Sequence, residues 1–347
     1  MTVSIDFRPT APSDAAALSD FLRRMFQSSA EASFLAGTHM GWKYWSARPD
    51  WNGSRSFTAS RRGAIVAHAA AWPVRVRVPG EVIPAVHLID WAADPKYPGA
   101  GVWLLRQIGA RARLMIATGG SEMTRRILPA LGFRPHAQLS WFARPVRPLR
   151  QALTTAERSW RLPARFLRNT FWRFAPPLSL PHGWSARPLA PEEMPDALWP
   201  QPSPATAVTA RDGGVYRYLV NSPFARHALF GLEKRSELVG YFCLAFAPHV
   251  ARIADLWLPS THVEDWCAGF RTAAVLAARE KGVNEVSAWA TTDLGKEALR
   301  RAGFRLRDCS AVSVFGDATM LEGRTLHVQM LDSDAGFLSG ETASYLT

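Results

Sequence analysis

Cysteine is scarce. The 347 residues hold three, Cys243, Cys267 and Cys309, all in the second half and none in a Cys-x-x-Cys pair. That argues against a disulfide framework and against a cysteine-ligated zinc site, so no metal is expected. The same thiols suit a reducing compartment and predict a cytoplasmic protein. Long apolar runs are missing too. None approaches the ~18–20 residues a spanning helix needs, and residues 1–8 have no apolar core of signal-peptide length. The expectation is a soluble protein, at most peripheral to a membrane. Acid is the other shortage: 29 Asp and Glu face 41 Lys and Arg, a formal charge of +12. Such a surplus favours anionic partners such as a lipid surface, nucleic acid or a phosphorylated ligand, although a coding bias toward arginine would produce the same composition.

Apolar residues are plentiful at 48%, and charged residues make up only 20%. A chain of this length is long for one domain and comfortable for two, each with its own core. Internal echoes support two. Phe7-Arg8-Pro9-Thr10-Ala11-Pro12 is answered by Ala186-Arg187-Pro188-Leu189-Ala190-Pro191, in both cases before acidic residues suited to a helix start. Gly41-Trp42-Lys43-Tyr44 is answered by Val215-Tyr216-Arg217-Tyr218, and Leu131-Gly132-Phe133-Arg134 by Ala302-Gly303-Phe304-Arg305. Strand pairs are expected at 56–60 with 64–78, hinged at Arg61-Arg62-Gly63, and at 228–233 with 238–246. The echoes keep their order at an offset of 171 to 179 residues, which points to duplication. The expected division is a leading unit at 1–145, a basic aromatic linker at 146–182, a second unit at 183–320 and a C-terminal extension at 321–347. Each unit reads as α/β, an α+β mixed and mostly antiparallel sheet flanked by helices. In the second unit, Thr261 and Glu264 predict a capping box for a helix that Gly282 ends.

Around the linker, Trp160, Arg161, Arg165, Phe166, Arg168, Phe171, Trp172 and Arg173 interleave rings with cations. Such a stretch fits an anionic membrane or, by stacking and charge, nucleic acid. As a packed linker helix it would hold its arginines outward, with Pro163, Pro176 and Pro177 limiting its length.

The sharpest local signal is a strand-like run, Val86-His87-Leu88-Ile89-Asp90-Trp91-Ala92-Ala93, followed by Asp94-Pro95-Lys96-Tyr97-Pro98-Gly99-Ala100-Gly101-Val102 and an apolar helix face at Leu104, Leu105 and Ile108. Glycines at a strand-to-helix turn let the backbone approach a ligand, and amides at the helix start suit a pyrophosphate, with Lys96 as a cation at its rim. The second unit has Pro259-Ser260-Thr261-His262 at the matching place and lacks the glycines.

Lys96-Tyr97-Pro98-Gly99-Ala100-Gly101 resembles the Gln/Arg-x-x-Gly-x-Gly/Ala motif of the GNAT (N-acetyltransferase) superfamily, with Lys in place of Gln or Arg. The resemblance covers most of 3–145 and, by repetition, most of 184–316, and identifies the chain as similar to tandem two-domain members with a degenerate second copy. It implies an acyl-CoA-dependent N-acyltransferase using acetyl-CoA or another acyl-CoA on a small or sugar-like amine. The backbone of Ile89, Asp90, Trp91 and Ala92 would pair with the pantetheine arm, and Lys96, Tyr97, Pro98, Gly99, Ala100, Gly101 and Val102 would hold the pyrophosphate. Asp90 is the candidate base, with a structural hydrogen-bonding carboxylate as the competing reading. Strand alternation sets His87 on the opposite face from Asp90 unless a bulge intervenes. The family's thiolate donor is often a tyrosine on the helix after the next strand; residues 121–131 hold none, leaving Ser121 or a water. Trp42 and Tyr44 are candidate acceptor contacts, or core aromatics. The alternative function is a non-catalytic GNAT-like binding module at an anionic membrane or polymer. A tandem aminoacyl transferase using a charged transfer RNA is a third reading, disfavoured by the CoA-type loop, and nucleic acid is disfavoured as a partner with it.

Overall fold

The computed structural model describes residues 5–29, 32–155, 160–337 and 345–347. In the leading half, strand β1 (Asp6–Pro9) runs into helix α1 (Ala15–Phe26), whose Leu18, Phe21 and Leu22 are buried at helical spacing. A single turn, α2 (Gly37–Met40), continues as a π-helical turn over Gly41–Trp45. Then come β2 (Ser56–Arg61), β3 (Ala64–Val78), β4 (Glu81–Ala93), α3 (Ala100–Gly109), β5 (Leu114–Thr118), α4 (Glu122–Ala130) and β6 (Arg134–Pro145). Two helices follow, α5 (Pro148–Thr154) and α6 (Leu162–Phe174). The trailing half holds β7 (Trp184–Pro188), β8 (Thr206–Thr209), α7 (Gly213–Val220), β9 (Arg226–Lys234), β10 (Glu237–Ala247), β11 (Val250–Trp257), α8 (Val263–Arg279), β12 (Glu285–Ala290), α9 (Asp293–Arg301), β13 (Arg305–Gly316) and β14 (Thr325–His327).

The strands form one mixed sheet in the order β1-β2-β3-β4-β5-β13-β6-β12-β11-β10-β9-β7. That order is a palindrome: β1 to β6 in one direction correspond to β7 and β9 to β13 in the other. The echoes in the sequence therefore become a pseudo-symmetric sheet. Parallel pairing occurs at β4–β5, at the matching β11–β12 and between β8 and β14; the remaining pairs are antiparallel. At the centre each half gives up its last strand. β13 lies between β5 and β6, and β6 lies between β13 and β12. Both expected hinges form with left-handed backbone at two successive residues, Arg62 and Gly63 in one copy, Arg235 and Ser236 in the other. That twist joins right-handed strands without splaying them.

Two local expectations change. The capping box at Thr261 and Glu264 does not form; His262 precedes α8 with no side-chain cap, while Ser260 donates to Asp265 inside the first turn. Pro163 lies in the first turn of α6, where a missing N–H costs nothing, so it starts that helix rather than interrupting it.

Nor do the linker arginines all face outward. Arg144 is buried and donates to the carbonyls of Ala302 and Pro176. Arg147 donates to Ala278 and Glu280 at 2.7 and 2.8 Å, supplying donors to the carbonyl end of α8. Arg165 reaches the backbone carbonyls of Tyr345 and Thr347. The physical reason is that helix ends and irregular segments leave carbonyls without partners, and a guanidinium has five N–H groups to offer them.

Candidate active site

β4 and β5 pair only from Ala85, Val86 and His87 to Leu114, Met115 and Ile116. Beyond that point β4 runs on to Ala93 and β5 to Thr118 without further bonds between them. The gap opens into a cavity of about 540 Å³, lined on one side by His87 to Ala93 and on the other by Ala117 to Ser121 and α4. Met25 and Phe26 from α1, and Ser333 and Asp334 from the C-terminal tail, complete the wall. One edge of β4 thus faces open space over the residues Ile89, Asp90, Trp91 and Ala92.

A bulge lies in this stretch. Opposite β3, the register passes from His68↔Ala92 to Ala70↔Ile89, so Asp90 and Trp91 together face one residue, Ala69. Asp90 has φ +50°, a left-handed conformation uncommon for a non-glycine residue. The extra residue breaks the alternation of faces. His87 and Asp90 accordingly line the same cavity, the bulged case of the expectation for their spacing.

Past Ala93, the chain turns at Asp94, whose carboxylate accepts from the Lys96 amide at 2.9 Å. Tyr97 is half-buried with the Arg61 guanidinium over its ring, while Lys96, Pro98 and Gly99 are exposed. Gly99 is the N-cap of α3 at φ +88°. The amides of Gly99, Gly101 and Val102 have no hydrogen-bond partner among the described residues. Gly101 is needed for room: a Cβ there would lie 2.8 Å from the Ala93 Cβ and 3.1 Å from Trp91 Nε1. The loop continues the line of β4 just beyond the cavity wall.

Asp90 is the charged centre of the site. Its Oδ2 accepts from Lys43 Nζ and from the Tyr44 hydroxyl, both at 2.6 Å. Lys43 also donates to Asp334 at 3.0 Å, so one ammonium bridges two carboxylates. Burial works to raise the Asp90 pKa, but the Lys43 charge and the two hydrogen bonds outweigh it and hold the carboxyl below its ordinary range. Burial acts against the Lys43 charge, and the carboxylates of Asp334 and Asp90 overcome it, leaving the ammonium's pKa raised. Burial and the adjoining Asp90 charge push the Tyr44 hydroxyl well up, so it stays a donor. Beneath the bulge, His68 Nδ1 donates to the Asp90 carbonyl at 2.9 Å and its Nε2 accepts from Ser56 at 2.8 Å. Burial takes this imidazole down to about 4, keeping it neutral. His87 is similarly committed, through Nδ1 to the Asp332 carbonyl and through Nε2 to Thr118, both at 2.8 Å.

Of the two candidate acceptor contacts, Tyr44 therefore reaches the cavity wall through Asp90. Trp42 lies away from it, stacked on Tyr218 at 5.1 Å and packed against Trp72 and Phe337 where the two halves meet. Ser121 lines the cavity and its hydroxyl caps α4 by accepting from the Thr124 amide. His68, Thr118 and Asp334 were missed by sequence reasoning, and Lys43 entered it only beside Trp42 and Tyr44. Lys43 had a signal, a cation between two aromatics in an echoed motif; Asp334 had none, since its place depends on where the tail runs.

That tail also settles the trailing cleft. β11 and β12 pair from Val250 to Ile253 and from Glu285 to Ala288, then part as β4 and β5 do. Into this second gap goes Gln329, which accepts from the Leu256 amide at 2.9 Å and donates to the Leu256 carbonyl at 2.6 Å. Thr291 holds the Leu326 carbonyl and the Val328 amide nearby. The strand edge open in the leading half is occupied by the chain itself in the trailing half. Among the described residues no group of three or more potential metal ligands occurs.

Residues 6–113 match the Acetyltransferase (GNAT) domain family. No curated protein matches in sequence. Among solved structures, the chain is similar to N-myristoyltransferase of Saccharomyces cerevisiae with bound myristoyl-CoA (TM-score 0.61, 12% identity, 91% of this chain and 81% of that one). It is also similar to a tandem GNAT protein from the clavulanic acid biosynthesis pathway (0.58, 13%, 90% and 98%) and to a GCN5-related N-acetyltransferase from Anabaena variabilis (0.58, 11%, 90% and 72%). Residues 6–113 thus match the GNAT acetyltransferase domain family, and the chain as a whole shares its fold with a tandem GNAT protein.

Proposed function

We propose that the protein is an acyl-CoA-dependent N-acyltransferase, using acetyl-CoA or another acyl-CoA, with its one working site in the leading half. The observation that carries this reading is the continuous line formed by the open edge of β4 and the unpartnered amides at the start of α3. A diphosphate fits those amides at the positive end of a helix, with Lys96 as an added cation. The amide groups of a pantetheine arm can bond along the open strand as an added strand would. When bound, the thioester supplies an activated acyl group. The chain does the rest. Amides on the open edge of β4 stabilise negative charge on the acyl oxygen. Two carboxylates sharing one ammonium leave net negative charge near the cavity, which draws in a small or sugar-like amine as its cation. Asp90 orients that amine and takes the proton its cation loses before attack; the second proton, released by the nitrogen as the C–S bond breaks, passes through Ser121 or a water to the departing sulfur. Met25, Leu88, Ile127 and Leu128 give the acyl chain an apolar wall.

A second reading, a non-catalytic GNAT-like module, is favoured by two observations: α4 carries no tyrosine, and Lys43 neutralises Asp90. Calorimetric titration with acetyl-CoA and coenzyme A, followed by mass spectrometry of a panel of amines incubated with acetyl-CoA, separates the two. Saturable heat and an acetylated amine are expected. Binding without any acylated product supports the module instead, and no heat or thermal shift at millimolar ligand removes the cofactor site altogether.

A further inference from the structure

The paired helices α5 and α6 are built inside-out. Their buried contacts are polar: Asn169 donates to Gln151 at 2.9 Å, and Gln151 donates to Glu285 at 3.0 Å and to the Thr347 hydroxyl at 2.7 Å. Their outer face is apolar. Leu149, Leu153, Trp160, Leu167, Phe171 and Phe174 are 62% to 85% exposed, and they are six of the eleven exposed large apolar residues among the described ones. Leu149 and Leu153 stand one turn apart on α5. Residues 164, 167, 171 and 174 step by three and four, so they form one stripe along α6, with Trp160 in the turn before it, and all are exposed. Ordinary packing would bury such a stripe, because each large apolar side chain left in water forgoes ~1.5–3 kcal/mol. Concentration of such residues on one helical pair marks an interaction surface.

Charge identifies what covers it. Residues 144–181 contain eight arginines and one glutamate. Arg150, Arg161 and Arg173 are exposed beside the apolar stripe, with Arg161 over the Trp160 ring and Arg173 over the Phe174 ring. We propose that α5 and α6 dock the protein on an anionic lipid bilayer, with the leucine and aromatic stripe in the headgroup–acyl boundary and the arginines on the phosphates. Aromatic and aliphatic side chains beside a cationic rim are what an interfacial helix requires. A second copy would set like charges against each other across a symmetric contact. A nucleic acid gains from rings and guanidinium groups but has no use for Leu149, Leu153 and Leu167. The proposal is independent of the acyl-transfer reading and concerns the opposite property of the chain, where it works rather than on what.

The test is co-sedimentation of the full chain with vesicles of phosphatidylcholine alone or with 30 mol% phosphatidylglycerol, at low and at high salt, for the wild type, Leu167→Ser/Phe171→Ser and Arg161→Gln/Arg173→Gln. These positions are exposed, so the variants should keep their circular dichroism and melting temperature. Binding only to the anionic vesicles, weakened by salt and by roughly tenfold in either variant, is the expected result. Equal binding of wild type and both variants overturns the proposal. So does absence of vesicle binding accompanied by a concentration-dependent dimer that Leu167→Ser/Phe171→Ser abolishes, or by binding to single-stranded DNA.

Discussion

Lys43 sets the chemistry of its neighbours. It is buried among aromatic side chains, yet it stays charged because Asp90 and Asp334 both face it. Removing a buried charge from such a pair leaves the partners uncompensated, at a cost of about 3–5 kcal/mol. In Lys43→Met, burial of Asp90 is opposed chiefly by the Tyr44 hydrogen bond, and its pKa rises. The sign follows directly. A carboxyl held low in the folded state contributes stability that is present above its unfolded pKa and lost as pH falls through the folded one. Lys43→Met should therefore shift the acid limb of the pH–rate profile to higher pH. An unmoved limb would mean that Asp90 does not govern it. Asp90→Asn should keep coenzyme A binding and lower kcat/KM by about 10²–10⁴, measured by steady-state kinetics on an accepted amine. Asp90 itself was legible from its place on the strand before the glycine loop. Tyr44 was singled out too, but not as a partner of Asp90, because the π-helical turn that carries Lys43 and Tyr44 to it and the second carboxylate at residue 334 depend on tertiary contacts.

At the scale of elements, two similar openings have opposite fates. The first ends at α3, where Gly101 allows the helix to press against Ala93. Gly101→Val should push the α3 N-terminus off β4 and raise the dissociation constant for coenzyme A at least tenfold in calorimetry, with Gly282→Ala as a control at a position where an added Cβ meets nothing within 4 Å. The second opening is closed by Gln329. Gln329→Ala leaves both backbone groups of Leu256 buried without partners and should cost about 2 kcal/mol in denaturant unfolding. An unchanged midpoint would show that water or another side chain replaces the amide. The second copy lacks the glycines after β11, and nothing in 325–332 foretold that the tail would fill its strand gap.

The whole molecule is held by one sheet whose central strands are exchanged, and its interior carries neutral histidines. Burial lowers His39 to about 3 and His68, His227 and His327 to about 4. In each case the folded pKa is below the unfolded one, so the folded state loses ground when protons become available to the unfolded chain. Stability should be maintained above about pH 7 and fall steeply from pH 6.5 toward 4, read as the melting temperature by differential scanning fluorimetry. A flat profile down to pH 4.5 would show these sites open enough to protonate in place.

Periodicity, turn residues and the repeated Gly-Phe endings were enough to define most elements, the repeated order of strands and helices and the glycine loop, because each of these depends on residues near one another in the chain; that the two expected sheets join into one was not among them. The exchange of β6 and β13, the Lys43 bridge between Asp90 and Asp334, and the outward apolar face of α6 were decided by the tertiary structure. They depend on which distant segments meet: a carboxylate finds its ammonium across nearly three hundred residues, and α6 shows its apolar face to solvent only because Asn169 and Arg165 on its polar face have found Gln151 and the Thr347 carbonyl to bond.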